Sequence, residues 1–60
     1  MTVFTDTAAA IDEAVWLAGM TDQAHVIVRC EGGVAVMSYA DAWFQRKEIL
    51  ETVHPTWEAA

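Results

Sequence analysis

Apolar and polar positions along the chain alternate between two periods. In "TDTAAAIDEAVWLAG", Ile11, Ala14, Val15, Leu17 and Ala18 share one arc of a 3.6-residue wheel, with Asp12 and Glu13 opposite. This predicts a helix over about 6–19. Thr5, Asp6 or Thr7 is placed to accept hydrogen bonds from the free N–H groups of its first turn, and Gly19 supplies a stop signal. The period then drops to two in "AHVIVRC" and "VAVMS", which flank a glycine pair. That pattern predicts an antiparallel hairpin over about 24–37, turning at Gly32 and Gly33. In this register Cys30 faces Ala35, Val28 faces Met37 and Val26 faces Tyr39. Val26, Val28, Cys30, Ala35 and Met37 then share one face. The other face carries His25, Ile27, Arg29, Glu31, Val34, Val36 and Ser38.

The helical period returns after Ser38, which with Asp41 resembles a capping box. Tyr39, Ala42, Trp43, Ile49, Leu50 and Val53 share an arc, and Pro55 disfavours helical geometry at His54. A second helix over about 39–53 is expected, followed by a tail, 54–60, whose Trp57 is placed to fold back on the core. The fold class is therefore α+β, a single small α-β-β-α domain with a two-stranded hairpin packed against two helices. A lone hairpin is marginal in water, and 60 residues bury too little surface for a large core. Formation of a homodimer is the expected remedy, across a two-fold axis through the aliphatic part of the mixed hairpin face: Ile27, Val34 and Val36.

Two aromatic residues fall off the apolar arcs. Trp16 has Asp12 at i−4, Glu13 at i−3 and Met20 at i+4, all neighbours on a helix surface. Phe44 has Asp41 at i−3 and Glu48 at i+4, with Glu51 farther round. Exposed aromatics framed by carboxylates suit a binding hot spot for a surface rich in Lys or Arg. The candidate partner-binding residues are therefore Trp16, Phe44, Asp12, Glu13, Asp41 and Glu48.

Charge and candidate chemistry narrow the reading further. Nine acidic residues against three basic ones give a net charge of −6. Phosphate backbones would be repelled, so direct nucleic-acid binding is not expected and a basic protein surface is the natural counterpart. Strict mimicry of DNA by carboxylates is poorly served, because Arg29, Arg46 and Lys47 interrupt the acids.

No catalytic constellation, metal or cofactor is expected. His25 and Cys30 are five apart on one strand and so point to opposite faces. Gly32-Gly33 lacks the further glycines and the lysine of a phosphate loop. With a single cysteine, no leader-like amino end and no apolar run of membrane-spanning length, a cytoplasmic setting is expected. In size, acidity and lack of catalytic motifs the chain resembles small phage-encoded inhibitors of host defence, such as anti-CRISPR or antirestriction proteins. The likeness is one of class and transfers no functional residue. It implies a non-enzymatic inhibitor of a larger complex. The alternative class is a structural or regulatory homo-oligomer, such as an antitoxin-like or accessory subunit.

Overall fold

The computed structural model describes residues 2–55, so the expected Trp57 contact lies outside the described residues. The order of elements is β1 (Val3–Phe4), α1 (Thr7–Thr21), β2 (His25–Cys30), β3 (Gly33–Ser38), α2 (Tyr39–Phe44) and β4 (Ile49–Val53). Four antiparallel strands form one sheet in the order β1-β3-β2-β4. The domain is α+β, with two helices and twice the expected number of strands. α1 lies on one face of the sheet and α2 on the other.

α1 begins at Asp6, whose carboxylate accepts from the N–H of Ala8 at 3.1 Å. It passes through Gly19 and ends at Asp22, which takes the left-handed conformation (φ 59°) while its N–H bonds the Ala18 carbonyl. Asp tolerates that geometry better than most residues, so the helix runs past the glycine expected to stop it. Its buried line is Ala10, Ala14 and Ala18, four residues apart. These small side chains bring the helix axis close to the sheet. There Ala10 and Ala14 pack with Ile27, Phe4, Ile11, Val34, Val36 and Val53.

The pairing of β2 with β3 runs from His25 opposite Ser38 to Cys30 opposite Gly33. The turn is Glu31-Gly32, and each partner lies two residues nearer the turn than the sequence predicts. An even shift leaves every side chain on its face, so Val26, Val28 and Ala35 are buried together with Cys30 and Met37 beside them. Gly33 is a strand residue for a steric reason. A Cβ built there would stand 2.2 Å from the Phe4 carbonyl oxygen, so only glycine lets β1 approach.

The largest departure is in the last third of the chain. A helix over 39–53 is replaced by the six-residue α2, a reversal, and β4. Ser38 caps α2, its hydroxyl accepting from the Asp41 N–H at 3.1 Å. At the other end Arg46 adopts φ 58°, donating to the Trp43 carbonyl, while the Lys47 N–H donates to the Ala42 carbonyl. This pair of bonds is a Schellman motif, usually closed by glycine. Residues 49–53, rich in β-branched side chains, then pair with the open edge of β2. Leu50 is the extra residue of a bulge opposite the Ile27/Val28 step.

Candidate functional site

Trp16 stands where the helical spacing puts it. α1 is continuous from Thr7 to Thr21, so Asp12, Glu13 and Met20 remain its surface neighbours. The indole is 59% exposed, and Asp12 and Met20 are exposed beside it. This outer face of α1 points away from the sheet, because the Ala10-Ala14-Ala18 line on its opposite side is buried.

Phe44 is 83% exposed, but of its expected acidic frame only Asp41 stays beside it on the helix. The helix ends at Phe44, so Glu48 is no longer one turn away on the same surface. Glu48 instead pairs with Arg29 on β2, Oε1 to Nε at 3.2 Å, and its carbonyl accepts from the Arg29 N–H. Both side chains of that ion pair are well exposed, so it adds little stability. Asp41 stays on α2, three residues before Phe44, and is exposed. Glu51 sits on β4 opposite Ile27.

What surrounds Phe44 is cationic and aromatic. Trp43, Phe44, Arg46, Lys47 and Ile49 line an open groove of about 500 Å³. Trp43 is 69% exposed, although the helical wheel places it on the core arc. Only Ala42 of α2 is buried. The sequence signal for this groove is the run "WFQRK", in which the one adjacent pair of cations follows two aromatics after a single glutamine. A helix through position 53 would turn Trp43 and Ile49 toward the core and Phe44 to the far side, which conceals the groove. The turn at Arg46 gathers them.

The residues expected to mediate self-association are placed under a helix. Ile27 is 0% exposed, and Val34 and Val36 pack with it against Ala10 and Ala14 of α1. Covering by a second copy is replaced by covering from within, since the small alanines let α1 lie flat on that face.

His25 is buried at the start of β2. Its Nδ1 lies 3.0 Å from the Gln23 carbonyl, which can only accept, so Nδ1 carries the proton. Cys30, at the other end of the strand, belongs to the opposite face. Among the described residues no three His, Cys, Asp or Glu side chains are grouped to hold a metal ion. Among them, too, no helix is long and apolar enough to cross a membrane. Exposed aromatic side chains thus stand on opposite sides of the sheet, Trp16 beside Asp12 and Glu13 on one and Phe44 beside Arg46 and Lys47 on the other. No protein-family model, no curated protein and no solved structure matches this chain.

Proposed function

We propose that this is a small, non-enzymatic protein–protein interaction module acting in the cytoplasm of the producing or host cell. It inhibits a larger complex, of the nucleic-acid-handling kind, by occupying a basic surface, as anti-CRISPR and antirestriction proteins do. The observation that carries the reading is the exposed Trp16 indole beside Asp12 and Glu13 on the outer face of a capped, 15-residue helix. A large aromatic held rigidly in an acidic setting provides both the buried anchor and the steering charge that such contacts use. The net charge of −6 extends that steering over the whole molecule.

The test is affinity capture from the native host with wild-type and Trp16→Ala baits, identifying what co-purifies by mass spectrometry. The expected result is one nucleic-acid-handling complex with the wild type and its loss with Trp16→Ala, whose circular dichroism stays native. Equal recovery by both baits overturns the assignment of Trp16. Recovery of the protein alone favours the second reading, a structural or regulatory homo-oligomer. The observation favouring that reading is the basic groove on an otherwise acidic chain.

A further inference from the structure

We infer that the groove formed by Trp43, Phe44, Arg46, Lys47 and Ile49 receives the outer α1 face of a second copy of this chain, giving head-to-tail self-association. The argument is one of charge and shape. The chain has three Lys and Arg residues in all. Arg29 is paired with Glu48, and the remaining two, Arg46 and Lys47, both line the groove. Among the described residues, the Lys and Arg side chains outside that ion pair thus both stand beside two exposed aromatic rings.

The complementary surface is present on the same molecule. Asp12 and Glu13 flank Trp16 and Met20 on α1, carboxylates beside an exposed aromatic and a polarisable thioether. A groove of about 500 Å³ has room for such a side chain. Arg46 and Lys47 would meet the carboxylates while Met20 or the Trp16 ring lies against Trp43 and Phe44. The two surfaces cannot meet within one molecule, because α1 and α2 pack on opposite faces of the sheet. A contact between unlike patches on opposite sides is heterologous, so each copy added presents a fresh groove or a fresh helix.

This contact does not depend on the basic-partner reading, although both engage Trp16. Self-association would therefore hide the inhibitory face and make it available on dilution.

Sedimentation equilibrium over a wide concentration range tests the inference. The weight-average mass is expected to rise past that of a dimer without a plateau. Trp16→Ala and the double variant Arg46→Glu/Lys47→Glu are each expected to weaken association by about tenfold or more. Mixed, the two defective variants should form 1:1 dimers that do not grow, because one retains the groove and the other the α1 face. A monomer at every concentration, a plateau at the dimer, or a mixture that stays monomeric overturns the inference. Should the double variant fail to fold by circular dichroism, Phe44→Ala replaces it, since that ring is exposed. The groove variants keep an intact α1 face. Partner capture lost in Trp16→Ala but retained in them therefore separates this contact from the inhibitory one.

Discussion

The two faces of the sheet are covered by helices of very different reach. On one, α1 extends for 15 residues and sets three alanines against the strands, so that Ile27 is sealed and Phe4, Val34, Val36 and Val53 pack around it. On the other, α2 is six residues long and contributes only Ala42 to the buried cluster with Val26, Val28 and Ala35, leaving its own Trp43 and Phe44 in solvent. Both helices begin with side-chain caps of the same kind, Asp6 and Ser38. The difference lies at their C-termini. α1 continues through Gly19 to a left-handed Asp22, whereas α2 is cut short by a left-handed Arg46. Val26, Val28 and Ala35 under α2 are nonetheless as fully buried as Ile27 under α1, so the earlier stop does not uncover the strands; it leaves the aromatic groove open at the end of α2.

The strongest test of this contrast removes one aliphatic side chain from each face. Ile27→Ala should lower stability by about 2–5 kcal/mol, the usual range for emptying a sealed site. Ile49, only partly buried on the α2 face, should cost much less on the same substitution. A domain of this size has only about 3–9 kcal/mol in total, so Ile27→Ala is expected to be largely unfolded in mild urea. Urea titrations followed by circular dichroism compare the two. Equal losses would mean that Ile49, at the rim of the α2 face, is packed as tightly as Ile27 at the centre of the α1 face.

A smaller effect is expected at the strand that completes the α1 face. Gly33→Ala places a Cβ where the Phe4 carbonyl oxygen stands, so β1 must move away. The cost should be about 1–3 kcal/mol, with amide exchange accelerating across Val3–Phe4 and their partners Val34 and Ala35. Unchanged exchange there would show that β1 accommodates a side chain at position 33. Because Phe4 packs under α1, this substitution loosens the α1 face and spares the α2 face.

These contrasts explain how far the chain could be read from its residues. The first helix, the division of the hairpin residues between two faces and the Ser38 cap are legible because each is local. A period, an alternation or a cap needs only its neighbours. The register is not legible, since both glycines suit a turn and the choice rests on the approach of Phe4 to Gly33, a contact between distant segments. β4 is hidden for a similar reason. Ile49, Leu50 and Val53 fit a helical arc, and only the open edge of β2 recruits them as a strand. At the candidate sites, Trp16 is legible because its neighbours lie within one helix. The surroundings of Phe44 are not, because Arg46 closes α2 in a position where glycine is the residue to expect.

That arginine permits the subtlest test, in which stability and association should move in opposite directions. A non-glycine residue at φ 58° is sterically disfavoured. Arg46→Gly relieves this but gives the unfolded chain more freedom, so the net gain should be about 0.5–1 kcal/mol. For a domain this small, that corresponds to a rise of several degrees in Tm. The same substitution removes one of the two cations lining the groove, so head-to-tail association should weaken while the fold strengthens. Arg46→Asn provides the control, because asparagine also tolerates the left-handed region yet carries no charge. It should weaken association as glycine does, with little change in Tm. If Arg46→Gly stabilises the domain and leaves association untouched, the arginine is merely an awkward helix terminator and the groove does not recognise charge. If both properties shift as expected, the cost of a strained backbone is retained at the position where a positive side chain must face the approaching helix.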